Sequence, residues 1–64
     1  MANVFIEREN KRIKIKAKNI KEILEKLKII PETVLIIKNN ELVLDEEKIN
    51  DNDEIKFLSV ISGG

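Results

Sequence analysis

The 64-residue chain contains no cysteine and no histidine. Disulfides, thiolate nucleophiles, imidazole bases and the usual zinc or iron ligands are excluded together. Aromatic side chains are nearly absent as well. Phe5 and Phe57 are the only two, too few for the stacking platforms that hold single-stranded nucleic acid. Neither sign of charge dominates: 12 basic residues against 12 acidic ones give a formal net charge of zero, so no net field draws the chain to phosphate backbones or anionic lipid. Long hydrophobic runs are missing too. The longest, Val-Leu-Ile-Ile at 34–37, falls far short of the roughly 20 residues a bilayer-spanning helix needs, and no basic-then-apolar leader opens the chain. Nucleic acid and membrane are set aside as direct partners, and a cytoplasmic location is expected.

What is present must fold economically. A domain of this size buries only about 60% of the surface its unfolded chain exposes, which leaves room for one small core and no deep pocket. The charged fraction of 38% reads as a well-solvated surface.

Residues 3–8 alternate, with Val4 and Ile6 on one side and Phe5 and Glu7 on the other, the period of a strand. Residues 12–18 repeat it more strictly: Ile13, Ile15 and Ala17 oppose Arg12, Lys14, Lys16 and Lys18. The polar Glu9-Asn10-Lys11 between them predicts a hairpin. At Asn19 the period changes. Ile20, Ile23, Leu24 and Leu27 share one helical face, Asn19 with Glu22 three residues on forms a capping pattern, and Pro31 bars continuation past Ile30; a helix of about ten residues is predicted. Residues 33–38 are β-branched and apolar on both faces, Asn39-Asn40 suits the positive φ angles of a tight hairpin turn, and Leu42-Val43-Leu44 returns as a short strand. Residues 45–49 are acidic and poorly periodic. Asn50-Asp51-Asn52-Asp53 is a dense turn signal, and a last strand runs from Glu54 to about Val60.

The order is strand, strand, helix, strand, strand, strand. One amphipathic helix across one face of a five-stranded mixed sheet buries the apolar faces of both, an α+β architecture with the first and last strands parallel at its centre. The predicted core is Val4, Ile6, Ile13, Ile15, Ala17, Ile20, Ile23, Leu24, Leu27, Val34, Ile36, Leu42, Ile49, Ile55 and Phe57. Residues 1–60 form the domain and 61–64 a flexible C-terminal Gly-Gly tail.

Both glycines of the chain are its last two residues, Gly63 and Gly64. At an average usage of about 7%, two glycines fall on a chosen pair of positions about 0.5% of the time, so the tail is the first candidate for function. Lacking a Cβ, it can thread a narrow channel and present its carboxylate to a nucleotide's α-phosphate. Four residues reach at most about 14 Å, enough to enter a partner's site while the domain stays outside. A carboxylate is a poor electrophile until activated. A partner using ATP and Mg²⁺ would convert it to an acyl-adenylate open to a sulfur donor, a thiol or a lysine amine.

The strand order, the segments Pro31 to Val43 and Asn50 to Ile55, and the ending Glu54 to Gly64 together resemble the ubiquitin-like β-grasp superfamily. They are most similar to its prokaryotic sulfur-carrier branch: thiamine sulfur carriers, the small subunit of molybdopterin synthase and archaeal small modifiers. Where that family commonly has Asn-Gly this chain has Asn39-Asn40. Asn52 replaces the glycine before the last strand, and Leu58-Ser59 stands where a proline is frequent. The resemblance implies that Gly64 is adenylated by a ubiquitin-activating-type enzyme and becomes a thiocarboxylate for thiamine, molybdopterin or tRNA thiolation. Alternatively, Gly64 is joined to lysines of target proteins, or the chain is a non-covalent β-grasp binding module. It implies a carrier and not an enzyme, a monomer that binds no cofactor itself, with ATP and Mg²⁺ used by its partner and a sulfur donor or acceptor enzyme as a further partner.

The sheet face away from the helix is expected to carry Phe5, Leu35, Ile37, Leu58 and Val60 side by side near the tail's exit, a clustered apolar exposure suited to docking the activating enzyme. Lys14, Lys16 and Lys18, with Arg8, Lys38 and Lys56 as further members, read as a solvated basic edge. Asp45, Glu46, Glu47, Asp51 and Asp53 lack the spacing of a calcium loop, and no metal is assigned.

Overall fold

The structure, a computed structural model, describes residues 1–60. Five strands form one sheet: β1 (Ala2–Ile6), β2 (Lys11–Ile15), β3 (Val34–Lys38), β4 (Glu41–Val43) and β5 (Glu54–Ser59). Their order is β2-β1-β5-β3-β4. β1 and β5 run parallel at the centre, and every other pair is antiparallel. The helix α1 (Ile20–Leu27) covers one face. Among the described residues no helix is long and apolar enough to cross a membrane.

Alternation along the strands decides what is buried. Ala2, Val4 and Ile6 of β1, Ile55 and Phe57 of β5, and Ile36 of β3 meet Ile20, Ile23 and Leu24 of α1 in a single core. Phe57 is fully buried at the middle of the central strand; removing a ring so placed costs about 3–5 kcal/mol. Ile13, Ile15, Ala17, Leu27 and Val34 pack against this core half-buried. Ile49 anchors the otherwise irregular stretch after β4. Its N–H bonds the Lys18 carbonyl at 3.1 Å, and the Ile20 N–H bonds the Glu47 carbonyl at 3.0 Å, which ties that stretch to the start of the helix.

The helix begins as its sequence predicts. Asn19 is extended, and its side-chain oxygen accepts from the Glu22 N–H at 2.8 Å, satisfying one of the orphan donors of the first turn. The Glu22 carboxylate reaches back to the Lys18 N–H at 3.3 Å. The far end departs from expectation: the helix stops at Leu27, before Pro31 can act. Lys28 takes a left-handed conformation (φ 57, ψ 40); its N–H bonds the Glu25 carbonyl, and the Ile29 N–H bonds the Leu24 carbonyl at 2.9 Å. This is a Schellman closure, which returns the apolar Ile29 to the core.

Other boundaries shift for local reasons. β1 ends at Ile6 and not at residue 8, because Glu7–Glu9 wind into a 3₁₀ turn closed by Asn10 at φ 48. β2 ends at Ile15, so Ala17 packs on the core from a loop and not from a strand. Leu44 lies beyond β4. The Asn39-Asn40 turn is as expected, with φ 50 and φ 70. It sets the hairpin register and corrects one core assignment: Leu42 pairs with Ile37 on the outer face and is 67% exposed, while Val43 opposite Ile36 takes the inward place.

Candidate functional site

The outer face is read across the sheet from its register. One row crosses all five strands as Arg12, Phe5, Lys56, Ile37 and Leu42. The neighbouring row pairs Leu58 with Leu35. Leu58, Leu35, Ile37 and Leu42 are therefore contiguous, each beside the next across or along a strand. Leu35 is 44% exposed. The ladder continues one residue past β5, where the Val60 N–H bonds the Thr33 carbonyl at 3.2 Å, and the exposed Val60 follows the same alternation as Leu58.

Phe5 is on this face at the margin of the patch, diagonal to Leu58 across β1 and β5. Lys56 stands between it and Ile37, and the Arg12 guanidinium lies 5.7 Å from its ring centroid, a cation–π approach. The expected group of Phe5, Leu35, Ile37, Leu58 and Val60 thus shares one face and is joined by Leu42, with Phe5 at its edge. Lys38 also leaves its expected place on the basic edge. It sits on the helix side of β3, where its ammonium bonds the Lys48 carbonyl at 2.9 Å and the Glu47 carboxylate at 3.2 Å.

β5, which leads to the C-terminus, is held at both ends. At its start, buried Asp53 accepts from the Asn50 N–H at 2.7 Å and from the Asn39 amide at 3.0 Å, with the Lys38 ammonium at 3.9 Å. The Asn50 bond first, then Asn39 and Lys38, hold this carboxyl below the usual carboxylate range against the opposing effect of burial. Asn39 completes the latch by accepting from the Glu54 N–H through its side chain and donating its own N–H to the Glu54 carbonyl. At the far end the Ser59 N–H donates to the Glu7 carboxylate at 3.1 Å. Sequence reading missed Leu42, Asn39 as a latch, and Glu7. Gly63 and Gly64, with the predicted tail over 61–64, lie outside the described residues.

A single helix laid across a five-stranded mixed sheet, with parallel first and last strands at its centre, defines a ubiquitin-like β-grasp protein. The chain belongs to the ThiS family, whose model matches residues 5–64. It is 37% identical over 57 residues to the sulfur carrier protein TtuB of Thermus thermophilus, covering 88% of each chain. An uncharacterized protein of Archaeoglobus fulgidus is 36% identical over 52 residues, 81% of this chain and 76% of that one. The crystal structure of the thiamine biosynthesis protein ThiS from Geobacter metallireducens superposes with a TM-score of 0.64 at 26% identity, covering 97% of this chain and 99% of that one. The solution structure of a thiamine biosynthesis protein from the same organism gives 0.61 at 25%, over 97% and 87%.

Proposed function

We propose that this protein is a ubiquitin-like sulfur carrier that works through the carboxylate of Gly64. The observation that carries the reading is the family match, which runs through residue 64, on a chain that shares its fold with ThiS and much of its sequence with a sulfur carrier. The geometry supports it: β5 is the central strand, fixed at both ends, and its exit lies beside an exposed apolar patch.

The chain is the cargo-bearing partner and not the catalyst. A carboxylate oxygen of Gly64 attacks the α-phosphorus of ATP in the active site of an adenylating enzyme, and pyrophosphate leaves with Mg²⁺ neutralising its charge. A sulfur nucleophile supplied by a donor enzyme then attacks the carbonyl carbon, and AMP departs with the original oxygen. Where that nucleophile is a persulfide of the donor enzyme, a second donor thiol attacks the donor-side sulfur of the resulting acyl disulfide; a donor disulfide forms and the thiocarboxylate leaves, to be consumed by an acceptor enzyme. Leu35, Ile37, Leu42, Leu58 and Val60 dock the adenylating enzyme, and Phe5 flanks that contact. The reaction belongs to the cytoplasm, where ATP is supplied.

The test compares the wild-type chain with one lacking Gly64 in an ATP-dependent pyrophosphate-exchange assay with a candidate adenylating enzyme, followed by intact mass after a sulfur donor is added. Exchange and a sulfur-for-oxygen mass gain are expected for the wild type alone. Equal exchange by both chains overturns the reading. Lysine conjugates ending in the chain's own terminal residues, without any thiocarboxylate, would instead mark a protein modifier.

A further inference from the structure

β5 is flanked unequally near its exit. On one side its ladder with antiparallel β3 runs on through Val34 opposite Ser59, and the Val60 N–H still finds the Thr33 carbonyl. On the other side the parallel ladder stops with Ile6 opposite Phe57, because β1 turns away into the 3₁₀ turn of Glu7–Glu9. Successive N–H groups of a strand point to opposite flanks. The Ser59 N–H therefore faces the side where the β1 backbone has run out, and it is met there by the Glu7 carboxylate at 3.1 Å.

We infer that Glu7 is a positioning residue, a side-chain extension of β1 that clamps the last residues of β5 and so sets where the held strand ends. This use of Glu7 rests on the carrier reading only for its consequence, not for the clamp itself. With both flanks engaged, Ser59 and Val60 are fixed to the sheet by consecutive N–H groups. If the Glu7 bond is lost, the end of β5 is tethered on the β3 side alone, through Val60, and opens more often. For a partner that grips the apolar patch and must reach Gly64, a strand end that opens at Ser59 spreads the carboxylate over a larger volume and lowers its occupancy of the attack position.

The contact is solvent-exposed, and a net worth within the usual hydrogen-bond range converts to an opening equilibrium about three- to tenfold greater without it. Glu7→Ala removes the acceptor. Glu7→Asp keeps the charge but is one methylene too short to reach, and Glu7→Gln keeps an acceptor oxygen at full length without the charge. Amide hydrogen exchange at Ser59 and Val60 is expected to quicken about three- to tenfold in the alanine and aspartate variants and to return towards wild type in the glutamine variant. With an adenylating enzyme that accepts the wild type, kcat for the alanine and aspartate variants should fall by at most that factor while KM, set by the patch, holds; glutamine should restore it.

Unchanged exchange at Ser59 and Val60 in the alanine and aspartate variants overturns the clamp. Faster exchange with unaltered kcat overturns the positioning role. Failure of every adenylating enzyme to act on the wild type removes the carrier reading but leaves the exchange result to decide the clamp. A general loss of protection in the core amides of β1 and β5, in place of a local one, also overturns it by making Glu7 a stability residue.

Discussion

The side chain of Asn39, in the turn between β3 and β4, donates its amide to the carboxylate of Asp53, fourteen residues on, at 3.0 Å. This joins the hairpin tip to the turn that launches the central strand, and it explains why a carboxyl is buried there at all. Asp53 has partners on both oxygens, and no buried side-chain nitrogen or oxygen among the described residues is left without one.

That latch makes acid stability depend on Asp53. Its carboxyl is depressed in the folded state, chiefly by the Asn50 N–H and then by Asn39, relative to an unfolded value of about 3.9. The stabilisation is complete above that unfolded value and is lost as pH falls towards the folded one. The thermal stability of the wild type should therefore fall as pH is lowered below about 4, whereas Asp53→Asn should show a shallower decline over the same range. At neutral pH Asp53→Ala should cost about 1–3 kcal/mol, since it leaves the Asn39 amide and Asn50 N–H unpaired. Identical acid profiles for wild type and Asp53→Asn would show that the latch does not govern acid stability.

The two asparagines of the turn carry different loads. Both have positive φ, 50 at Asn39 and 70 at Asn40, a region glycine enters without penalty. The latch, however, runs through the side chain of Asn39. Asn40→Gly should therefore stabilise the protein by about 0.5 kcal/mol, while Asn39→Gly should destabilise it by about 1–2 kcal/mol as two hydrogen bonds are lost. Urea unfolding of the two variants should move in opposite directions; a shift of the same sign in both would place the turn's stability in φ preference alone.

Lys28 occupies the left-handed residue of the Schellman closure, where a Cβ crowds the following carbonyl. Lys28→Gly should raise stability by about 1 kcal/mol. In a domain this small such a gain raises Tm by roughly 4–8 °C. A lower Tm would mean that the lysine side chain contributes more at the helix end than its backbone costs.

Much of this architecture was legible in the sequence because alternation and helical spacing are imposed by burial itself. Val4 and Ile6, Ile55 and Phe57, and the Ile20-Ile23-Leu24 stripe announce their faces directly. Leu42 was legible too, but only through the turn: two residues at Asn39-Asn40 place Lys38 opposite Glu41 and hence Ile37 opposite Leu42, so an outward Ile37 requires an outward Leu42. The end of the helix was hidden because proline is a louder signal than a lysine accepting positive φ. Glu7 gave none, since its bond to the Ser59 N–H joins residues 52 apart and nothing local distinguishes it from any exposed glutamate.

The corrected outer face yields the sharpest contrast between stability and docking. Leu35 and Leu42 are exposed and touch solvent on the side away from α1, so Leu35→Glu and Leu42→Glu should leave the folding free energy within about 0.5 kcal/mol of wild type. Val43, opposite Ile36, packs against the core, and Val43→Ala should cost more, about 1 kcal/mol or above. If the contiguous patch docks the adenylating enzyme, the two glutamate variants should raise KM for the carrier at least tenfold, because each places an unpaired charge in an apolar contact. Phe5→Glu should matter less, as that ring is at the patch's margin with Lys56 between it and Ile37. Folded Leu35→Glu and Leu42→Glu variants that are activated with wild-type KM, or a larger effect at Phe5 than at Leu42, would move the docking surface to the Arg12 and Lys56 side of the sheet.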